Sequence, residues 1–174
     1  MRTGSNLSGL LSVYKQTVVD FETTPELFEH VADIDDDFKI FVSDKTYNTS
    51  NSYDYYVITL PDDKPVAVFL TTYLTDNEVL LDIAYVDETA RGNKLSEKFC
   101  WFLKTRMTKK IVMVEYQSPS AVELMKSLHR SKRFVINWEK DGKHYRMIPR
   151  PSIQMDPTMV PPMSLGSRPR FIII

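Results

Sequence analysis

The sequence predicts a single α+β domain in which a mixed, mostly antiparallel sheet is flanked by helices. Three β-rich segments between residues 53 and 86 are separated by short polar turns, the pattern of an antiparallel meander. Two amphipathic segments follow, at 95–107 and after Ser118, with a short apolar strand at 110–116 between them. A chain of 174 residues with 43% hydrophobic content is long enough for one full core but short for two ordinary domains.

The N-terminal third predicts one strand and one helix. Enrichment in Tyr, Val and Thr favours a strand from Ser12 to Phe21. Residues 23–26 combine a capping hydroxyl with an early proline, which is typical of a helix start. A helix is therefore expected from Pro25 to about Ile34, followed by a short apolar segment, Phe38 to Val42.

The C-terminal third predicts a hairpin and then a tail. Asp141-Gly142 is a strong hairpin turn signal between strands at 134–138 and 143–148. Six of the ten prolines lie between Pro149 and Pro169. We therefore expect a domain over residues 1–148 and an extended Pro/Met-rich tail over 149–174, whose apolar end suits strand addition to a partner or to its own subunit.

Composition narrows the class of protein. The single cysteine, Cys100, excludes a disulfide framework, and the three histidines are too scattered to predict a metal site. No leader-like segment and no apolar run of membrane-spanning length is present in the sequence. We expect a soluble cytoplasmic protein with no metal and no membrane association.

Charge is divided between the two halves of the chain. Residues 1–88 carry 5 Lys+Arg against 17 Asp+Glu, whereas residues 89–174 carry 17 against 6. The two halves can simply be solvated faces that attract each other, or the basic half can bind a polyanion and the acidic half a cation.

The boundary between these halves is also the most informative stretch of the chain. Val79 to Phe99 reads as an apolar strand, a polar turn and an amphipathic helix. The first amide groups of a helix have no internal partner, and the helix dipole favours negative charge there. The turn therefore predicts an anion-binding cradle for a phosphate-bearing cofactor.

The order of these elements resembles the GNAT superfamily of acyl-CoA-dependent N-acyltransferases over roughly residues 12–148. The family's Arg/Gln-x-x-Gly-x-Gly/Ala motif corresponds here to Arg91-Gly92-Asn93-Lys94-Leu95-Ser96, with Lys94 at the first glycine position and Ser96 at the last small-residue position. A second family signature corresponds to residues 118–121, Leu124-Met125 and Arg133-Phe134, with Met125 at the position of the family's frequent acid, a tyrosine. The resemblance implies acetyl transfer from acetyl-CoA to a primary amine.

The resemblance also implies a V-shaped opening between strand 79–86 and strand 110–116. Amides in the first strand would hold the pantetheine arm, and the turn would hold the pyrophosphate. The residues expected to bind the cofactor are Ala84, Tyr85, Val86, Arg91, Gly92, Asn93, Lys94, Leu95, Ser96 and Ser118.

Amine acylation requires a neutral amine, a route for its proton and a donor for the leaving thiolate, but no covalent nucleophile. Asp82 is the main candidate for base or amine-orienting group, because it lies mid-strand among apolar residues, on the expected face of Ala84 and Val86. An ordinary ion pair would equally explain a carboxylate there. Glu115 is the competing carboxylate, and Tyr116 is a candidate proton donor.

The acidic N-terminal half suggests the acceptor. The family commonly lines the acceptor side with its N-terminal helix and adjoining loop, and here that region carries the acidic residues Glu26, Glu29, Asp33, Asp35, Asp36 and Asp37. The expected partner is a cationic amine, either a small molecule or a protein lysine.

Two alternatives remain open. One is a catalytically silent, GNAT-like structural protein, for example in a phage particle, that associates through its tail. The other is a GNAT-like enzyme that modifies nucleic acid, whose phosphates the basic half would contact.

Overall fold

This computed structural model describes residues 7–44, 47, 53–114, 119–140, 143–146 and 170–174. Three helices and nine strands lie in these ranges. They are α1 (Leu7–Thr23), β1 (Phe28–Ile34), β2 (Phe38–Ser43), β3 (Tyr53–Thr59), β4 (Pro65–Thr75), β5 (Glu78–Val86), α2 (Leu95–Thr105), β6 (Lys110–Val114), α3 (Pro119–Ser131), β7 (Ile136–Lys140), β8 (Lys143–Arg146) and β9 (Arg170–Ile173).

The nine strands form one mixed sheet, as predicted. Their order is β1-β2-β3-β4-β5-β6-β9-β7-β8. Neighbours are antiparallel except β5 and β6, which are parallel because α2 connects them as a crossover. The predicted α+β class is confirmed.

The central prediction also holds element by element. β3, β4 and β5 form the antiparallel meander, and β7 and β8 form the hairpin with Lys140 opposite Lys143. α2 ends at Thr105, with Arg106 as its C-cap residue. β6 is observed to Val114, and residues 115–118 of the longer predicted strand and helix start lie outside the described residues.

The predicted strand from Ser12 to Phe21 is wrong, because this segment belongs to α1. Tyr, Val and Thr favour strands only weakly when tertiary packing favours a helix. The helical period places Tyr14, Val18 and Phe21 on one face, which packs against Val57 and Val68 of the sheet.

The predicted helix from Pro25 to Ile34 is also wrong. Only Pro25–Leu27 forms a single 3₁₀ turn, and the Thr24 side chain makes no capping hydrogen bond to it. β1 then follows, with Phe28, Ala32 and Ile34 buried and a register irregularity between His30 and Ala32. That irregularity breaks the strict alternation of a strand and makes the apolar spacing look helical.

The end of the chain differs from the expected extended tail. β9 lies between β6 and β7 and pairs antiparallel with both. Phe171, Ile172 and Ile173 are buried, because the sheet supplies a core that the segment lacks on its own. The expected strand addition thus occurs within the chain for 170–173. Residues 147–169, with most of the predicted tail, lie outside the described residues.

Two apolar clusters cover the two faces of the sheet. The larger includes Phe99, Leu103 and Leu128 of α2 and α3, against strands that include β4, β6 and β9. The smaller lies under α1 and includes Phe21 and Phe28. We refer to these surfaces as the α2/α3 face and the α1 face.

Candidate functional site

The pairing of β5 with β6 ends early and leaves an opening in the sheet. Parallel pairing runs only from Glu78–Lys110 to Leu80–Val112. Beyond this point β5 continues to Val86, paired with β4, while Met113 and Val114 pair with β9 and have no described partner on β5. The β6 side of β5 from Leu81 onwards therefore faces an opening in the described part of the sheet. An opening was expected between strand 79–86 and strand 110–116, and the structure shows it as far as Val114, since residues 115 and 116 lie outside the described residues.

Asp82 lies at a β-bulge beside this opening. Leu70 is opposite Ile83 and Thr71 is opposite Leu81, so Asp82 is the extra residue on β5. A bulge redirects side chains and interrupts their alternation. Leu81 is buried in the core on the α2/α3 face before the bulge, and Ala84 packs against that core after it.

The expected common face of Asp82, Ala84 and Val86 is therefore not maintained. Ala84 and Val86 pack against the α2/α3 core. Burial raises the pKa of Tyr55, with smaller contributions from Tyr53, Asp20 and then the Asp82 carboxylate. The neighbour of Tyr55 in the strand, Tyr56, is buried on the α2/α3 face. Strand alternation places Tyr55 on the α1 face. The charge of Asp82 therefore affects a residue of the α1 face rather than of the α2/α3 face.

Tyr85 follows the bulge and also belongs to the α1 face. Its ring packs on Tyr14 of α1 with 4.5 Å between centroids. Burial, followed by Asp87 and Tyr85, raises the pKa of the Tyr14 hydroxyl to about 12. This ring contact packs α1 against the C-terminal part of β5.

The predicted cradle lies immediately after β5. Residues 88–90 form a 3₁₀ turn capped by Asp87, whose carboxylate accepts a hydrogen bond from the Thr89 amide at 3.1 Å. The Thr89 hydroxyl also donates to this carboxylate, and these bonds lower the pKa of Asp87. Asn93 Nδ2 donates to the Ala90 carbonyl at 2.9 Å and closes the turn.

The amides of the cradle remain available to an anion. Among the described residues, Gly92, Asn93 and Lys94 donate to no backbone carbonyl, and no side chain caps the start of α2. These residues are exposed, and an added Cβ at Gly92 would have no atom within 4 Å. Consecutive unpaired amides leading into a helix N-terminus are a favourable environment for phosphate.

Lys94 has the backbone conformation that glycine favours. Its φ of 56° and ψ of 37° are left-handed, at the position where the family motif has its first glycine. Gly92 also has positive φ, at 91°. The turn thus has the left-handed geometry associated with glycine, together with an added ammonium group.

Arg91 connects the cradle to the opening. Its Nε donates to the Val86 carbonyl at 3.2 Å, and Nη1 lies 4.0 Å from Glu88 Oε1. The side chain remains 55% exposed. Its guanidinium can therefore contribute positive charge to an anion at the turn, although the structure does not place it on the cradle amides themselves.

The other candidate residues lie either in the core or outside the described residues. Glu115, Tyr116 and Ser118 lie outside the described residues, so their roles stay predictions. Cys100 is fully buried, and burial followed by Glu97 raises the pKa of its thiol to about 12. Met125 is 3% exposed and packs in the core. In the described part of the chain, no cluster of His, Cys, Asp or Glu is arranged for a metal ion.

The acidic N-terminal residues do not form one acceptor surface. Asp35–Asp37 form the turn between β1 and β2, at the far side of the meander from β5. Lys98 Nζ of α2 lies 2.8 Å from Asp35 Oδ2, and His30 Nε2 lies 2.7 Å from Asp33 Oδ1. Glu29 is near the opposite end of β1, paired with Val42.

A groove on the α2/α3 face borders the cradle, because Lys94 is one of the residues that line it. It has a volume of about 570 Å³ and lies between the β1–β2 turn, the outer surface of α2 and the segment from Ser131 to Phe134 that follows α3. Trp101 lines it, with the Arg133 guanidinium 5.0 Å from the ring centroid.

Sequence reasoning missed a tyrosine cluster on the α1 face. Tyr53 and Tyr55 are two residues apart on β3 with ring centroids 5.7 Å apart, and Tyr47 lies 5.3 Å from Tyr55. The available signal was the Tyr-x-Tyr spacing, which places both rings on one face of a strand. The link to Asp82 depended on the bulge, which alternation alone does not reveal.

Comparison with known proteins finds likeness in structure only. No protein-family model and no curated protein matches the sequence. Among solved structures, the Campylobacter jejuni N-acetyltransferase PseH matches with a TM-score of 0.44 and 11% identity, covering 97% of this chain and 90% of that one. The Vibrio cholerae spermidine N-acetyltransferase, solved with CoA and spermine, gives 0.41 and 10%, covering 75% and 70%. A Streptococcus agalactiae acetyltransferase gives 0.38 and 14%, covering 92% and 88%.

Other matched structures are described as GNAT-family acetyltransferases, the family that the sequence resembles. No function follows from likeness at these identities and TM-scores. In the described part of the chain, no helix is both long and apolar enough to cross a membrane.

Proposed function

We propose that the chain is an acetyl-CoA-dependent N-acetyltransferase that acylates a primary amine of a cationic acceptor. The observation that carries the proposal is the continuity of the β5 opening with the cradle at the start of α2. An extended thioester arm and a pyrophosphate are joined in one molecule in coenzyme A, and these two neighbouring features suit its two parts. The buried, protonated Cys100 is compatible with a reducing cytoplasmic location.

The chain's residues would hold the cosubstrate at two points. The backbone of Ala84 and the amide of Val86 point away from β4 and would pair with the pantetheine arm, in the manner of an added strand. The Tyr85 backbone points toward β4, as does Asp87, whose amide donates to the Val66 carbonyl. The amides from Gly92 to Ser96 would bind the pyrophosphate, with the Lys94 ammonium nearby. Bound acetyl-CoA supplies an activated thioester carbonyl.

Asp82 is assigned to orient the acceptor amine and receive its proton. In the balanced reaction the amine nitrogen bonds to the acyl carbon, the carbon–sulfur bond breaks and the thiol leaves with a proton. The bulge positions Asp82 where β5 has just separated from β6, close to where the acyl group of an arm held on residues 84–86 would lie. General-base assistance of this kind typically contributes about 10² to 10⁴ in rate.

Two measurements on the full chain test the proposal. Calorimetry should detect binding of CoA and acetyl-CoA, and acetyl-CoA consumption should depend on an added amine. Asp82→Asn should lower kcat by about 10²-fold or more while leaving acetyl-CoA affinity unchanged. Asp76→Asn, an exposed carboxylate in the β4–β5 turn, is the matched control.

A folded sample that binds neither CoA nor acetyl-CoA would refute the enzyme assignment and favour the structural-protein alternative. Equal turnover by wild type and Asp82→Asn would instead retain the enzyme and remove Asp82 from its mechanism.

A further inference from the structure

Beside the opening, the α1 face carries an aromatic and acidic cluster that the acyl-transfer assignment does not use. We call it the tyrosine cluster and define it as Tyr47, Tyr53, Tyr55 and Asp20. The Tyr47 and Tyr55 rings meet edge to face at 89°, and those of Tyr53 and Tyr55 at 77°. Tyr47 Oη donates to Asp20 Oδ2 at 2.9 Å. Residues from α1, β3 and the chain between β2 and β3 therefore converge on one place.

Two carboxylates from different elements act on the central ring. Burial, Tyr53, Asp20 and Asp82 all raise the pKa of Tyr55. Asp20 belongs to α1, whereas Asp82 is the bulge residue of β5. The negative potential at Tyr55 thus comes from carboxylates of two elements, and it favours a cation.

The cluster remains accessible beside α1. α1 packs Tyr14 on Tyr85 and places Phe21 against Phe28 and Phe41, so it crosses the sheet from β5 toward β1 and β2. Tyr53, Tyr55 and Asp82 are half-buried, with surface still open to solvent. An electron-rich ring face next to carboxylates is a preferred site for an alkylammonium group.

The cluster lies at a defined separation from the reaction site. Tyr55 is opposite Leu70 on β4, and Leu70 is opposite Ile83 on β5. Two strand spacings, about 10 Å, therefore separate Tyr55 from the strand that borders the opening. A flexible acceptor could place one amine at Asp82 and a second, charged amine on the tyrosine cluster.

We propose that the tyrosine cluster is a cation subsite that selects acceptors with a second ammonium group beyond the reacting amine, in the manner of an α,ω-diamine. The inference rests on the proposed acetyltransferase function and assigns the acceptor class to it. Tyr53 and Tyr55 supply the ring faces, and Asp20 supplies the balancing charge.

The test compares diaminoheptane with heptylamine, a monoamine of the same length. Acetyl-CoA consumption should show a lower KM for the diamine, and Tyr55→Leu should raise that KM by about five- to thirtyfold. Tyr55→Phe should retain most of the preference, because it keeps the ring. Neither variant should change the KM for acetyl-CoA or for heptylamine.

Two further variants separate charge from packing. Asp20→Asn should weaken the preference while preserving shape and the hydrogen bond from Tyr47. Tyr73→Leu is the matched control, because Tyr73 is a half-exposed strand tyrosine bonded to a carboxylate, Asp54, on the α2/α3 face. It should leave the preference unchanged.

Direct calorimetric titration of diaminoheptane into the full chain keeps this inference separate from the proposed function. Diamine binding that Tyr55→Leu abolishes would support the subsite even if acetyl-CoA failed to bind, in which case only the enzyme assignment falls. Three results would overturn the subsite. They are equal KM values for diamine and monoamine, an equal rise of both KM values in Tyr55→Leu, and absence of diamine binding.

Discussion

Substitutions at Lys94 separate the contributions of backbone conformation and side-chain charge to the cradle. A non-glycine residue in the left-handed region costs about 1 kcal/mol, and glycine does not carry that cost. Lys94→Gly should therefore unfold with a free energy about 1 kcal/mol higher than that of Lys94→Ala, which keeps the strain. Urea denaturation measures the difference.

The same pair of variants addresses coenzyme A. Both variants lack the Lys94 ammonium group. If both bind coenzyme A equally and much more weakly than the wild type, the charge of Lys94 contributes to the affinity. Retained binding in Lys94→Gly would assign it to the amides. Equal stability of the two variants would contradict the left-handed conformation at residue 94.

Asp54 provides a pH-dependent prediction. Burial raises the pKa of its carboxyl, against smaller lowering effects of the Tyr73 hydrogen bond and Lys109. A raised pKa in the folded protein means that folding favours the protonated form, so this contribution is present below the unfolded pKa and is lost as pH rises through the folded value. Relative to Asp54→Asn, the wild type should gain stability as pH falls from about 7 to about 4.

Thermal or urea midpoints at several pH values measure this difference. Tyr73→Phe is the control, since loss of the hydrogen bond should raise the pKa of Asp54 further and enlarge the pH dependence. If the wild type instead lost stability relative to Asp54→Asn as pH falls, the folded protein would stabilise the ionised carboxylate of Asp54.

At the scale of elements, the sequence predicted best where local signals and packing agree. Val and Ile in the meander favour strands and are buried in strands, and β7 and β8 pair as the hairpin signal at 141–142 predicts, although these two residues lie outside the described residues. α1 was mispredicted because Tyr14, Val18 and Phe21 satisfy a helical face although their residue types favour strands. β1 was mispredicted because its irregular register imitates helical spacing. β9 was unpredictable in position, since its partners come from distant parts of the chain.

β9 should contribute strongly to stability because it is an interior strand. Ile173 is 1% exposed and packs in the main core, whereas Ile174 is 40% exposed. Ile173→Ala should lower the unfolding free energy by about 2–5 kcal/mol. Ile174→Ala should change it by less than about 0.5 kcal/mol.

Urea denaturation of the two variants is a matched comparison of neighbouring isoleucines. An additional contact fixes the same strand, since Arg170 Nη2 lies 2.6 Å from Glu139 Oε1 of β7. Similar small losses for both variants would mean that β9 is not seated between β6 and β7 in solution.

For the candidate site, the order of elements along the chain predicts the turn at 91–96, whereas the separation of β5 from β6 was an implication of the family resemblance. The roles of the site residues, including Asp82, stay predictions. The direction of Asp82 depends on one extra residue opposite Leu70 and Thr71, and such a bulge is a property of strand pairing rather than of composition.

On the scale of the whole molecule, the opening coincides with the boundary between the two charged halves of the sequence. The sheet order places the strands of the acidic half, β1 to β5, on one side of the opening and β6 to β9 of the basic half on the other. A polyanion such as coenzyme A should therefore be steered toward the basic side, and a cationic acceptor toward the acidic side.

This charge separation predicts a salt-dependent association rate for coenzyme A. Stopped-flow measurements should give an association rate that falls between about 0.01 M and 0.15 M salt, where the screening length shortens from about 30 Å to about 8 Å. Arg130→Glu, an exposed residue in the last turn of α3, should slow association without changing dissociation. Lys15→Glu makes the same charge change on exposed α1 in the acidic half, and it should slow association less. Equal slowing by both variants would mean that net charge alone governs the encounter, and no slowing by either would remove steering from the binding of the anion.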